Sequence, residues 1–589
     1  MKLNLKFYKG TDEYSDGDVE DKILEYIDKY PNNYEEAFKV DSSWPVFYHL
    51  STMRKNVINW YPFKKQSSIL EVGGGMGAIT DALCQKCDKV TTIELSKRRA
   101  TAILKRNKKS KNLEIIVGNF KDIELTEKYD YILLNGVLEY GAMYKDSDNP
   151  YIDFINNLKN NLKKDGKILI AIENRFGLKY WCGAIEDHTG IRFDGLNNYP
   201  DNKKIKTFSK HEFELLAKTC NMNINFYYMF PDYKFPKVIY SDEALKKGIY
   251  SNYIPYFSTT MNLDLYETPL YRDIYDNDVI PFFANSYFVE LSNDESELEI
   301  QFAKFNNEFR KQEFDLLTYI SKNKIYKKGL YKSSERHMDN LINIDNILND
   351  NKIKSAKLIK KDNNLIESNF VEGQNLHNVL VDYYNNKEFS KIYEIFDKIV
   401  EIIKFPKVLS KDNNNIFDKY GIKISKNKLE KLNLYNNVII DIVPSNIFNK
   451  DGEYIIIDQE WKEDNCPIEY AIYRSIISFC NNIDDKYNIK EQLLKKYNVI
   501  DFEYLFDKLE VEFQNSLKSD YFDYYKIYSS HVDYTRLEQF IEKNNQLSAE
   551  LKNMKNELLE KDNMLNSILN SKGYKYLQKF YKLKGKIIK

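Results

Sequence analysis

Ile69-Leu70-Glu71-Val72-Gly73-Gly74-Gly75-Met76-Gly77 is an apolar run that turns through glycines into a segment patterned as an amphipathic helix. Glycines let the backbone turn sharply and approach a ligand closely, and a helix start offers it unpaired N–H groups. The next apolar run, Lys89-Val90-Thr91-Thr92-Ile93, ends in Glu94. A carboxylate at such a strand tip can hold two ribose hydroxyls, so the two stretches together predict a nucleotide-type cofactor site.

The spacing favours one cofactor over another. Dinucleotide enzymes need G-x-G-x-x-G, whereas Gly73, Gly75 and Gly77 follow Glu71 in a G-x-G-x-G pattern. That pattern resembles the first motif of class I S-adenosylmethionine methyltransferases, and the resemblance continues for about 200 residues. It implies that Glu71 faces the amino acid end of S-adenosylmethionine and that Glu94 holds the ribose. Glu114-Ile115-Ile116-Val117-Gly118-Asn119 reads as a third strand whose tip meets the adenine; Asn119 stands where the family usually has Asp, and its carbonyl oxygen can still accept from the adenine amino group. Tyr129 to Asn135 reads as the fourth strand, with Asn135 at the cofactor and Val137-Leu138-Glu139-Tyr140 at the cleft. Lys167 to Asn174 reads as the fifth, after the turn Lys164-Asp165-Gly166. Alternating strands and helical segments predict an α/β, Rossmann-like, doubly wound parallel sheet with its ligands at the carboxyl ends of the strands.

At 589 residues the chain predicts more than one domain, since single cores seldom grow past about 300 residues. Lys plus Arg (87) nearly balances Asp plus Glu (88), so no global field argues for nucleic acid as a partner. The 47 Tyr, with abundant Asn, Lys and Ile, look like the coding bias of an AT-rich bacterial genome. Six Cys in so long a chain imply no disulfide framework, and Cys84-Gln85-Lys86-Cys87 lacks the second Cys pair that a zinc site needs. No signal-peptide core and no apolar run of about 18 residues is present, which predicts a cytoplasmic protein.

Between the fifth strand and about residue 240 lies the region expected to recognise the methyl acceptor. Glu173-Asn174-Arg175, then Glu186-Asp187-His188-Thr189-Gly190, then Phe193-Asp194-Gly195 are too polar for a buried strand and too punctuated for one helix, and read as a loop-rich cover. These stretches resemble methyltransferases encoded with bacterial surface-polysaccharide glycosyltransferases. Methylating a hydroxyl calls for a base. His188, with Asp187 or Glu173 nearby in sequence, is the candidate because neutral imidazole titrates near physiological pH; an ordinary hydrogen-bonding loop histidine is the competing reading.

Val438 to Phe448, containing Asp441 and Asn446, and Tyr454 to Trp461, containing Asp458, resemble the catalytic and metal loops of aminoglycoside- and choline-kinase-type enzymes. In-line phosphoryl transfer needs a carboxylate for the acceptor proton, assigned to Asp441, and ligands for magnesium, assigned to Asn446 and Asp458. Upstream, Glu299 to Phe305 alternates and carries Lys304, the expected phosphate-binding lysine, with Glu313 on a following helix to pair with it. Leu365 to Gly373, including Glu372, resembles an adenine-contacting hinge, so ATP is the expected second ligand. Against this, Ala284-Asn285-Ser286-Tyr287 fills the expected phosphate-covering loop without a glycine, and Ile439 stands where a His is common.

Near the carboxyl end Leu537, Leu551, Leu558 and Leu565 form one heptad set and Phe540, Leu547, Met554 and Ile568 the other, interrupted by Asn544 and Lys561. This predicts a coiled coil that builds a homo-oligomer, a helix packed on the preceding domain being the competing reading. Gly573 to Lys589 mixes Lys with Tyr, Phe and Leu and carries no acid. Such a tail can lie on an anionic membrane surface or dock onto a glycosyltransferase.

The expected divisions are an N-terminal helical extension at 1–45, a methyltransferase domain at 46–240, a linker at 241–275, a kinase-like α+β domain at 276–530, a coiled coil at 535–570 and a basic tail at 571–589. This order resembles the bifunctional methyltransferase-kinases that terminate bacterial O-antigen chains. It implies a lipid-linked or surface glycan as acceptor, methylated on a sugar hydroxyl or terminal phosphate at the inner face of the membrane. A kinase-like half that only binds glycan or assembles with glycosyltransferases, and a methyltransferase for a small metabolite or protein, are the alternatives.

Overall fold

A computed structural model describes residues 2–12, 17–31, 33–144, 147–201, 204–251, 265, 267–306, 310–407, 414–529 and 537–587. Fourteen strands among them join one sheet. Their ranges are β1 Lys2–Phe7, β2 Ser68–Val72, β3 Lys89–Glu94, β4 Leu113–Gly118, β5 Tyr129–Asn135, β6 Leu162–Glu173 and β7 Asn223–Phe230. Then come β8 Val238–Ser241, β9 Ser286–Ser292, β10 Phe302–Phe305, β11 Leu316–Ser321, β12 Lys324–Gly329, β13 Ile359–Asp362 and β14 Leu365–Asn369.

The centre of that sheet runs β4-β3-β2-β5-β6-β9-β7. Its first five strands are parallel, and β9 lies antiparallel between β6 and β7. Both faces are covered, as a parallel sheet requires. Leu70, Ile132 and Ile168 face one core while Ile69, Leu133 and Leu169 face the other, the period-two alternation of a strand buried on both sides.

Two of the expected divisions are corrected. The extension at 1–45 is not all helical, because β1 pairs in parallel with β4 before the helix Val19–Lys29 begins. The segment Ala284–Tyr287, expected to occupy a phosphate-covering loop, instead runs into β9, whose seven residues are all buried and pair with β6 and β7; strands of the first sheet thus extend past the boundary expected at 240. The sheet is consequently not wholly parallel. Most of the linker expected at 241–275 (252–264 and 266) lies outside the described residues; its ends form the helices Asp242–Lys246 and Glu267–Asp276.

The second half grows from the same sheet. β10 pairs with β8, Lys304 opposite Val238, and continues antiparallel through β11, β12, β14 and β13. The helix Glu335–Asp350 buries Met338 and Leu341 with Leu316 and Ile366 of these strands. Past Gly373 a separate helical core forms from helices such as Phe389–Ile403 and Ile468–Cys480. Its final helix, Phe522–Ser529, returns to the first domain: Tyr521 and Tyr525 pack with Phe38 and Phe47, and Tyr525 donates to Glu35. The long helix Leu537–Asn570 leaves Leu547, Leu551, Met554, Leu558, Leu565 and Ile568 exposed, and the helix Lys572–Ile587 exposes Tyr576, Leu577, Phe580 and Tyr581. The side chains of Leu537 and Phe540 lie outside what is described. No described helix is long and apolar enough to cross a membrane.

Candidate active site

The glycine turn follows β2 directly. Gly75 takes φ +55°, and a Cβ there would meet open space. Gly74 is needed for closeness, since its Cβ would come within 2.8 Å of Ile103 Cδ1. Glu94, buried at the tip of β3, accepts from Gly75 N at 2.7 Å and from Ser96 N at 2.9 Å, so it ties the turn to its own strand. Glu71 lies underneath. Thr80 and Thr92 each donate a hydroxyl to its Oε2 at 2.8 Å, and burial pushes its carboxyl up to about 7. Asn119 Oδ1 accepts from Lys121 N at 3.2 Å, and Asn135 Oδ1 is buried without a hydrogen-bond partner.

The turn after β5 touches this loop, because a Cβ on Gly73 would lie 2.6 Å from Val137 Cγ2. Two residues further, Glu139 sits in the 3-10 helix Leu138–Met143, 1% exposed, and neither carboxylate oxygen has a hydrogen-bond partner. His188 Nε2 lies 3.8 Å from Glu139 Oε1 and 3.4 Å from Oε2 of Glu173, the last residue of β6. On its other side His188 Nδ1 lies 3.3 Å from Tyr140 Oη. Glu186 fixes the loop, accepting the backbone N–H of His188 at 2.8 Å and of Thr189 at 2.7 Å.

The structure thus brings His188 and Glu173 together, and places Asp187 elsewhere. Asp187 accepts from Lys179 Nζ at 2.8 Å, from Tyr180 Oη at 2.6 Å and from Lys234, so it is a counter-ion and not a partner of the imidazole. The surroundings of His188 favour its charged form. Burial disfavours its charge, but the hydrogen bond and charge of Glu173, aided by Glu139, win and lift it to about 9. Burial raises Glu139 to about 7, whereas Lys234 overrides burial at Glu173 and holds it down at about 2. Sequence reading placed Glu139 at the cleft without a role and missed Lys234, which follows Pro231 where the pattern turns irregular; both are visible only once β5, β6 and the 231–235 loop converge.

With this geometry in place, comparison with known proteins is informative. A family described as a methyltransferase domain, Methyltransf_11, matches residues 70–170. Residues 70–170 are a methyltransferase domain. Over 109 residues the chain is 32% identical to the probable ribosomal RNA small subunit methyltransferase A of Pyrococcus furiosus, covering 18% of this chain and 38% of that protein. The chain therefore spans little more than a third of the length of that curated relative. Among solved structures, N-methyltransferase NodS of Bradyrhizobium japonicum is similar at 22% identity and TM-score 0.17, covering 18% of this chain and 59% of that one. Phosphoethanolamine N-methyltransferase 1 of Haemonchus contortus is similar at 13% identity and TM-score 0.26, covering 47% and 51%. Neither overlap is a basis for assigning a substrate.

The methyltransferase domain takes S-adenosylmethionine, which supplies an electrophilic methyl group on a sulfonium. The residues present fit it: open space over Gly75, the buried carboxylate of Glu94 for ribose hydroxyls, and the orphaned Asn135 carbonyl for a donor such as an ammonium.

The second constellation is arranged differently from expectation. Asp458 is paired with Lys327 of β12, which also lies 3.5 Å from Glu460 Oε1. Lys304, one hairpin earlier on β10, makes no ion pair among the described residues; its alternating run reads just as β12 does, so sequence could not choose between them. Glu313 lies in the 3-10 helix Gln312–Phe314, not on a longer helix, and Glu372 is exposed. Asn446 donates to the Asp441 backbone carbonyl at 3.2 Å. Asp441 itself is engaged: Oδ1 accepts from Arg474 at 3.0 Å, and Oδ2 from the backbone N–H of Glu460 at 3.0 Å and Trp461 at 2.9 Å. A cavity of about 150 Å³ lies between the strands and the helical core, lined by Thr318, Lys327, Ile366, Ile456 and Asp458 among others.

Proposed function

We propose that the chain transfers methyl groups from S-adenosylmethionine to a sugar hydroxyl of a bacterial lipid-linked or surface glycan. One observation carries the choice of a hydroxyl: Glu139 is buried beside the cofactor turn with two unpartnered oxygens. A carboxylate so placed accepts hydrogen bonds from an O–H and repels a terminal phosphate, so the hydroxyl is favoured over the phosphate cap. Glu139 takes the hydroxyl proton as the oxygen attacks the methyl carbon, and the charged His188 holds Glu173 and the acceptor in place. The cover adds a cavity of about 430 Å³ lined by Ile191, Phe193, Asp194 and Asn197, whose mixed surface suits the rest of a glycan. Methyl-labelled S-adenosylmethionine and lipid-linked glycan from bacterial membranes test the reading; phosphatase-resistant label on a sugar supports it, and label lost with phosphate overturns it.

The second half is proposed to be a kinase-like domain that takes ATP with magnesium, Lys327 on the phosphates and Asn446 and Asp458 on the metal. The cleft cavity beside the Lys327–Asp458 pair supports this. A second reading, a catalytically silent domain that positions glycan or glycosyltransferases, is favoured by the pinning of Asp441 to Arg474. Calorimetric titration with ATP and magnesium, then turnover by Asp441→Asn, separates the two. The exposed seam of Leu537–Asn570 is proposed to pair chains, and the basic aromatic helix Lys572–Ile587 to rest on an anionic membrane surface at the cytoplasmic side.

A further inference from the structure

Glu139, Glu173 and His188 reach one point from three separate elements, and one donor atom of each lies within 4.8 Å of the others. We propose that they form a site for a divalent cation, Mn2+ or Mg2+, which seats the acceptor hydroxyl; that role, though not the site itself, rests on the methyl-transfer reading above.

Four observations carry it. First, the three donors are two carboxylates and an imidazole, a set that suits hard to borderline cations and not a thiolate-loving metal. Secondly, both Glu139 oxygens are buried and have no hydrogen-bond partner, an uncommon state for a carboxylate that a bound cation would satisfy. Thirdly, the surroundings already orient the ligands. His188 Nδ1 faces Tyr140 Oη at 3.3 Å, which keeps a hydrogen on Nδ1, so a cation that displaces the Nε2 proton of the cation-free protein meets that nitrogen's lone pair beside the carboxylates. Lys234 holds the other oxygen of Glu173, Oε1, at 2.6 Å, which turns Oε2 toward His188. Fourthly, the spacing is right for closure: Nε2 stands 3.4 Å from Glu173 Oε2 and 3.8 Å from Glu139 Oε1, against about 3 Å between neighbouring ligands in an octahedral shell with ligand distances of about 2.1 Å.

Three protein ligands leave the remaining positions of a six-coordinate cation for water and for vicinal sugar hydroxyls. The cation would polarise the acceptor O–H, and the second oxygen of Glu139 would remain available to take its proton.

The test uses full-length protein carrying Asp458→Ala, which removes the charged ligand of the other candidate cation site, at a half-exposed position. The protein is stripped with a chelator, and Mn2+ is titrated while free Mn2+ is read by electron paramagnetic resonance. One saturable Mn2+ per chain is expected, weakened at least tenfold by Glu139→Gln and by His188→Gln, and less by Tyr140→Phe. Circular dichroism melting checks each variant's fold, and Tyr140→Phe keeps the test decisive if a ligand variant fails to fold. Absence of saturable Mn2+ binding, or binding unchanged in all three variants, overturns the proposal. A separate titration with S-adenosylmethionine distinguishes the failures: a chain that binds the cofactor but no Mn2+ loses only the cation site, and one that binds no cofactor loses the methyl-transfer reading.

Discussion

Lys234 Nζ lies 2.6 Å from Glu173 Oε1, and the same ammonium donates to Asp187. Glu173 is buried, Lys234 is nearly so and Asp187 stands partly open to solvent, and the three join the end of β6, the cover and the 231–235 loop. Burial disfavours the Lys234 charge, yet the two carboxylates hold it well above the usual lysine range. This side of the cleft is thus assembled by charge pairing more than by apolar packing.

Lys234→Met should therefore leave Glu173 and Asp187 short of their shared cation inside the protein. A cost of about 1.5–3 kcal/mol is expected, the loss of charged hydrogen bonds, because Glu173 keeps His188 and Asp187 keeps Lys179 as partners. Urea unfolding of the variant measures it, and a change below about 1 kcal/mol would show that water already screens the cluster.

The same cluster sets a pH dependence. His188 rises from 6.5 to about 9 on folding, so its contribution is fully present below about pH 6.5 and is lost as pH rises through about 9. Glu173 falls from 4.5 to about 2, so its contribution is present above about pH 4.5 and is lost as pH drops toward 2. The stability gap between wild type and His188→Gln should shrink between pH 6.5 and 9.5. A gap constant over that range would place the His188 proton elsewhere.

Much of the methyltransferase domain was legible because local patterns decide it. The glycine turn lies within a few residues of the apolar run it follows, and the tip carboxylate Glu94 directly closes its own run. What escaped depends on long-range pairing. Residues 286–292 carry no mark that they slot between β6 and β7, since an antiparallel strand buried on both faces reads like any apolar run. Lys304 and Lys327 sit on similar alternating stretches, and only the approach of Asp458 from the other side of the cleft separates them. Asp441 looked free in sequence because Arg474, its partner, lies 33 residues downstream on a helix.

Lys327→Met and Lys304→Met make that distinction measurable. In calorimetric titrations with ATP and magnesium, Lys327→Met should weaken binding by tenfold or more, the loss of a charged hydrogen bond of about 1.5–3 kcal/mol. Lys304→Met should change it by less than threefold. The reverse ranking would restore Lys304 as the phosphate ligand.

Light scattering on the chain with and without residues 530–589 examines the exposed seam of Leu547, Leu551, Met554, Leu558, Leu565 and Ile568. A dimer or trimer that becomes a monomer on truncation is the expected result. An unchanged mass would assign those side chains to another partner.

The most direct measurement is transfer of labelled methyl from S-adenosylmethionine to lipid-linked bacterial glycan, comparing wild type with Glu94→Ala and Glu139→Gln. Label on a sugar hydroxyl is expected with wild type. Glu94→Ala should need about 10–100 times more cofactor, and Glu139→Gln should slow transfer at saturating cofactor. Equal transfer by all three proteins, or no label on sugar with wild type, would contradict the assignment of this cleft.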